Sequence, residues 1–310
     1  MNESNAIARS SRSGSTPGAQ RDALARWWLW KRKAANALMW IGATLATLLA
    51  IIPLGLVLWS VMSKGLSVVN WEFFTAVQNP PGEAGGGLKH AIVGTLLLVS
   101  IASAIGLPFG IMGGIYLAEY GNNRFGQTVR FAADVLNGVP SIVVGIFVYA
   151  IVIMPLPPEN RHFSAWAGGL ALGLMMIPTI MRTTEEIIRL VPMSLREAAL
   201  ALGDTRRHTT LKVVLGAARG GIITGVLLAV ARVAGETAPL LFTALGNNFF
   251  NLNPNQPIAS LPVTIYTFAI APDDRWNALA WGGAFVLVML VTVLSLCARF
   301  AAARMASVRN

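Results

Sequence analysis

Two charges inside an apolar run are the residues most able to do chemistry in this chain. Between Gly220 and about Ala244 the only ionisable side chains are Arg232 and Glu236. A charge near mid-bilayer costs from about 2.5 to above 10 kcal/mol, depending on the reference state, so it needs a reason. On a helix the two residues share a face about 6 Å apart along the axis and can pair. Either they neutralise each other and pin neighbouring helices, or Arg232 faces a solute path. Pro239 cannot donate an amide to the carbonyl of Gly235, and Gly235 itself weakens a helix, so a break is expected over 235 to 239. Arg182, at the end of another apolar run, is a candidate second station on such a path, or else a partner of Glu185 or Glu186.

A second constellation lies in the polar stretch between those runs. Ser194-Leu195-Arg196-Glu197 reads as a capping box, the Ser194 hydroxyl accepting from the amide of 197 while Glu197 reaches back to the amide of 194. Leu195, Ala198, Ala199 and Leu202 follow at helical spacing, and Gly203 supplies the left-handed residue that ends the short helix. Asp204-Thr205 can cap a second helix running from Arg206 through Leu215. An element this small has nothing cytoplasmic large enough to cover its apolar face. It either docks into a partner's groove or lies on the membrane surface beside Arg206, Arg207 and Lys212.

Other chemistries find no residues to carry them. His90, His162 and His208 fall in three separate segments without ligand spacing, and Cys297 is the single cysteine, so neither a metal site nor a disulfide is expected within one chain. No G-x-x-x-x-G-K-[ST] run occurs, which leaves the chain without a P-loop for ATP.

The elements that must position these residues are membrane helices. The sequence is 55% hydrophobic and 12% charged, against roughly 25% charged residues in ordinary soluble domains. Charge-free runs over Ala34–Ser63, Ala91–Ala118, Val135–Pro158, Phe163–Met181 and Trp276–Ala298 each reach the ~18 residues that mark a spanning helix, and Gly220–Ala244 makes a sixth. The net charge of +10 is spread along the flanks of these runs and forms no single stripe, which argues against nucleic acid. Of the 24 Lys and Arg, nineteen fall in the four segments that share one side of a six-span topology, four on the other side, and Arg232 within a span. The positive-inside rule then places both termini in the cytoplasm.

Residues 1 to 20, rich in Ser, Gly, Arg and Asn, predict a disordered tail. Trp27, Trp28 and Trp30 beside Lys31-Arg32-Lys33 suit either an interfacial segment or a plain extension of the first helix. Gly106, Gly110 and Gly114 line one face of the second span and predict close helix packing. Asn137-Gly138-Val139-Pro140-Ser141 interrupts the third soon after its start. The apolar stretch Ile258–Ala271 is short for a crossing and contains Pro262, which predicts a re-entrant or surface helix.

Glu197-Ala198-Ala199, three residues, Gly203, nine residues and Val213-Val214-Leu215 together resemble the EAA loop of binding-protein-dependent ABC import permeases, though Gly216 stands where that pattern has Pro. Pro178-Thr179, Arg182-Thr183-Thr184-Glu185, Leu190-Val191-Pro192, the run Gly235-Glu236-Thr237-Ala238-Pro239-Leu240-Leu241-Phe242-Thr243-Ala244 and Leu261-Pro262-Val263-Thr264-Ile265 are similar, more narrowly, to the PstA-type permeases of high-affinity phosphate importers, over roughly 90 to 310. The resemblance implies an all-α, six-helix permease of the MetI-like type over 35–300, with a coupling loop at 186–218, an N-terminal cytoplasmic segment at 1–34 and a tail at 301–310. It implies no catalysis by this chain and no cofactor of its own, ATP being bound by a partner. The partners it implies are a PstC-like permease, a PstB-like ATPase dimer, a PstS-like periplasmic phosphate-binding protein and a PhoU-like regulator. In that setting Arg232, Glu236 and Arg182 are expected along the substrate path, and Ser194, Glu197, Ala198, Ala199 and Gly203 at the ATPase. A permease for phosphonate, sulfate or molybdate, and an ion-driven carrier or channel, are the rival functions.

Overall fold

The computed structural model describes residues 17–83 and 85–307, and every regular element among them is helical. In chain order these are α1 (Pro17–Leu66), α2 (Trp71–Thr75), α3 (Lys89–Glu119), α4 (Arg124–Gly138), α5 (Ser141–Val148, carried on by a π-helical turn over Tyr149–Ile153) and α6 (Ala165–Arg189). There follow α7 (Met193–Ala201), α8 (Arg206–His208, joined by a π-helical stretch Thr209–Val214), α9 (Leu215–Ala234), α10 (Ala238–Leu241), α11 (Leu261–Ala269) and α12 (Asp274–Ser307). Five helical stretches are long and apolar enough to cross a membrane: 27–66, 89–119, 165–189, 206–234 and 274–297. The pair α4 with α5, bent by 104°, makes a sixth candidate if the two count as one broken span, the other geometry being a re-entrant loop. Val139 sits in extended backbone at the bend, and Pro140 lacks the amide that would continue the helix.

Two units make up the chain, one ending at Trp59 and the other beginning at Ser60. In the first, the helix begins at Pro17, so the expected unstructured tail lies outside the described residues only up to position 16. Trp27, Trp28 and Trp30 are on that continuous helix, and side chains from Trp27 to Trp59 are all exposed.

The second unit is built on α3 and α6. Both run in the same direction, and Gly106, Gly110 and Gly114 of α3 lie against Met176, Ile180 and Thr184 of α6 in turn. A methyl group on these glycines would come within 2.9, 2.7 and 2.5 Å of the three Cβ atoms, so only a bare Cα admits this spacing. Apolar surface gains little by leaving lipid for protein, which makes such close van der Waals contact the chief source of cohesion. A second cluster of Phe73, Leu88, Leu261, Phe268 and Leu279 joins α2, α3, α11 and α12 at the end where α6 begins. There the Thr95 hydroxyl accepts from the buried amide of Leu261 at 2.8 Å. The stretch around 258–271 becomes the nine-residue α11, about 13 Å long at 1.5 Å per residue and too short to cross.

Three expectations are corrected. The third span starts at Arg124, eleven residues ahead of Val135, because the amphipathic α4 precedes the apolar run. The fifth starts at Arg206 and stops at Ala234, short of Ala244: the helix predicted over Arg206–Leu215 is its first part. The capping box does not form. Pro192 is the N-cap of α7, with φ −56° and ψ 140°, and no side chain caps the helix. Proline at the cap sets the entry angle, which moves Ser194 inside the first turn.

Candidate anion path and coupling element

The half of α6 that leads to α7 carries Thr179, Arg182 and Glu185, and α4 supplies a partner for each. Arg130 donates from Nε to Glu185 Oε1 at 2.7 Å. Arg182 places Nε 3.0 Å from Asp134 Oδ1, and its remaining edge donates to Glu185 Oε2 at 3.1 Å. The Thr179 hydroxyl donates to Asn137 Oδ1 at 3.2 Å. As α4 advances from 130 to 137, α6 recedes from 185 to 179, so the two rows meet antiparallel. Glu185 is the hub, its side chain 3% exposed with Arg189 as a third partner at 2.8 Å. Arg130 also donates to the carbonyls of Gly121 and Leu117, tying the end of α3 to the same point. Of the two sequence readings of Arg182, the geometry shows the pair with Glu185; Glu186 is exposed. Sequence reasoning missed Arg130 and Asp134. The signal was there: Gln127, Arg130, Asp134 and Asn137 recur at helical spacing against Phe131 and Val135, the pattern of a helix with one polar face.

Arg232 stands in the last turn of α9, and Gly235 follows as its C-cap. Glu236 lies beyond the helix, its amide donating to the Val233 carbonyl at 3.1 Å. The expected i, i+4 stacking therefore fails, and among the described residues no ion pair joins Arg232 to Glu236. The break itself occupies 235–237, with Pro239 in the first turn of α10, where its missing amide costs nothing. Pro239 is buried against Gly145 of α5, a contact that a Cβ on Gly145 would obstruct.

The depth of Arg232 follows from glycine contacts. Gly221 lies against Ile187 and Gly225 against Thr183, so four residues forward on α9 match four back on α6. Arg232, seven beyond Gly225, is level with Met176, seven before Thr183. Met176 is midway along α6, which runs from Ala165 to Arg189. Past the break the register holds, since Gly168 meets Leu240. Arg232 is thus an exposed cation at mid-height of a transmembrane bundle.

At the end of the bundle where α6 stops, α7 is held by Arg196. Its guanidinium donates to Glu119 Oε1 at 2.8 Å and to the carbonyls of Val191 and Ile188 at 2.9 and 3.0 Å. Those carbonyls lie at and just beyond the end of α6, where the helix ladder runs out and a side-chain donor can add to the bond from the Val191 amide to the Ile188 carbonyl. Gly203 ends α7 with φ +86°, and Asp204 and Thr205 start the next helix, Thr205 Oγ1 accepting from the His208 amide at 3.3 Å. The hydrogen bond from His208 Nδ1, 2.6 Å long, holds the Asp204 carboxyl below the usual carboxylate range. Leu195, Glu197, Ala198, Leu200 and Leu202 of this element are exposed, Leu202 by 90%, while Ala199 is half-buried and Ser194 exposed.

Residues 110–307 match the family described as the binding-protein-dependent transport system inner membrane component. The phosphate transport system permease protein PstA of Yersinia pestis is 48% identical over 78% of this chain and 81% of its own length. That of Haemophilus influenzae is 44% identical over 86% and 94%. The chain belongs to this family of permeases, in its PstA-type branch. Among solved structures, the inward-facing MetNI methionine ABC transporter matches with TM-score 0.52 and 19% identity over 72% of this chain and 94% of that one. A bacterial alginate ABC transporter in complex with its alginate-bound periplasmic protein matches with TM-score 0.55 and 13% identity, over 90% and 94%. These two likenesses concern the fold alone, that of MetI-like permeases; the family match makes the chain a multi-pass inner-membrane protein. The permease is accordingly the membrane component of a binding-protein-dependent transport system.

Proposed function

We propose that this permease moves inorganic phosphate inward as one half of an ATP-driven pathway. The observation that carries the reading is Arg232: a guanidinium exposed at mid-bilayer height, without Glu236 as its ion-pair partner, in a chain whose relatives are phosphate permeases. Left in lipid, such a charge would cost several kcal/mol, so in the assembly it faces a second permease or the solute. Its planar fork suits two oxygens of one tetrahedral oxyanion. Glu236 lies at the break just beyond it and contributes to the same path, and Arg182 serves further along.

A PstC-like subunit completes the path, a PstS-like periplasmic protein delivers phosphate, and a PstB-like ATPase dimer supplies the energy that no motif in this chain can supply. The ATPase docks on the 186–218 loop, where Ser194, Glu197, Ala198, Ala199 and the Gly203 turn lie. Both termini and this loop lie in the cytoplasm, as the distribution of Lys and Arg requires. The chain has no catalytic role. A PhoU-like regulator meets the assembly from the same side.

The test is uptake by the purified assembly in proteoliposomes with ATP sealed inside. Labelled phosphate should enter only with ATP and binding protein, and excess sulfate, molybdate or phosphonate should not compete. Uptake driven by a membrane potential without ATP would refute the mechanism, and competition by sulfate would refute the substrate.

A further inference from the structure

The two carboxylates on Arg182 are not equivalent. Glu185 is 3% exposed and is held by Arg130 and Arg189 as well as by Arg182. Asp134 is 54% exposed, and among the described residues its carboxylate reaches Arg182 alone. Asp134 grips the fork side-on: Oδ1 is 3.0 Å from Nε and Oδ2 is 3.4 Å from an Nη nitrogen. Two oxygens of an oxyanion bind guanidinium in the same bidentate way. The anion and Asp134 thus want the same edge of the same cation, while Glu185 keeps the opposite edge fixed.

Position adds a direction. Arg182 lies six residues from the level of Arg232 toward the α7 end of α6, or about 9 Å along the axis. Thr179 and Asn137 are between them in height. An exposed carboxylate–guanidinium pair is weak and readily exchanged, whereas the buried three-way contact at Glu185 is not. With Arg130, Arg182 and Arg189 against Glu185 and Asp134, the cluster carries one net positive charge while Asp134 is bound, enough to draw an anion without trapping it.

We infer that Asp134 is a tethered competitor for the transported anion at Arg182: it yields the guanidinium fork when the anion arrives and expels the anion toward the coupling-loop side by returning. The inference rests on the transport reading above, and it adds a release step with its own residue. It makes inhibition by anion on the far side the quantity to measure, because a site that has lost its competitor binds product more tightly.

The experiment uses the complete assembly in proteoliposomes, with ATP inside, binding protein outside, and inorganic phosphate preloaded in the lumen at a series of concentrations. Asp134→Asn should be inhibited at lumenal phosphate at least tenfold below the level needed for the parent protein. Asp134→Asn with Arg182→Gln should lose that added sensitivity, which a general weakening of the fold would not do. Equal sensitivity of Asp134→Asn and parent would overturn the inference. So would failure of Asp134→Asn to co-purify with the other subunits, which would make Asp134 a structural tie. An assembly that carries sulfate and not phosphate would sink the substrate assignment only; the same comparison with lumenal sulfate would then decide the role of Asp134.

Discussion

Glu185 and Glu186 are sequence neighbours with opposite fates, and the difference is a matter of what each carboxylate touches. Glu185 is buried among three guanidinium groups, and Glu186 is exposed. Removing the charge of Glu185 leaves Arg130 and Arg182 without their shared counter-ion. Breaking a fully buried pair costs ~3–5 kcal/mol. The three arginine side chains are 19%, 31% and 55% exposed, so solvent screening reduces the expected loss to about 2 kcal/mol. Thermal unfolding of the purified chain should therefore shift down for Glu185→Gln and stay within error for Glu186→Gln. A matching shift in both would remove the hub from the account. From sequence, Glu185 was one of two candidates for Arg182. What separated them was the tertiary position of α4, which no local spacing encodes.

The elements owe their placement to glycines and to one turn. Gly114→Ala would put a methyl 2.5 Å from Thr184 Cβ and 2.6 Å from the Met181 carbonyl oxygen. Overpacking at such a contact typically costs ~1–3 kcal/mol, whereas Gly42→Ala, with nothing within 4 Å, should be neutral or slightly favourable. Denaturation in detergent distinguishes the two; equal stability of both variants would contradict α3–α6 packing as the core. Gly203 governs the coupling element. Its φ of +86° is closed to proline, and its amide donates to the Leu200 carbonyl at 3.0 Å. Gly203→Pro should leave the chain in the membrane and abolish stimulation of the ATPase partner; normal phosphate uptake would show that the turn transmits nothing.

These glycines and the Gly203 turn were legible because steric demands act locally. The capping box was not, because Pro192 takes the cap position two residues before Ser194. The pairing of Arg232 with Glu236 failed for a related reason: spacing of four residues has meaning only while the helix lasts, and the Gly235 cap ends it first.

For the whole molecule the governing quantity is charge across the membrane. The six-span arrangement proposed above, with both ends cytoplasmic, would make Leu202, 90% exposed in the coupling element, reachable from the cytoplasm. It would make Asn253, exposed in the segment between α10 and α11, reachable from outside. Single cysteines at these positions, in a background with Cys297 replaced, should label from those sides only; labelling of position 202 from outside would invert the topology. The five long apolar helices were readable from hydropathy, but the 104° bend between α4 and α5, the sixth candidate, was not. That bend turns the polar face of α4 onto α6 and creates the charged row leading toward mid-membrane.

The central claim is that Arg232 serves the anion. Arg232→Lys keeps the charge and loses the fork; Arg232→Ala with Glu236→Ala removes both charges and with them any cost of an unpaired one. The measurement is ATP-driven phosphate uptake by assemblies that retain binding protein and ATPase. Uptake is expected to fall at least tenfold in Arg232→Lys and to be absent in the double variant despite normal assembly. Restored uptake in the double variant would reduce Arg232 and Glu236 to packing residues and contradict the account.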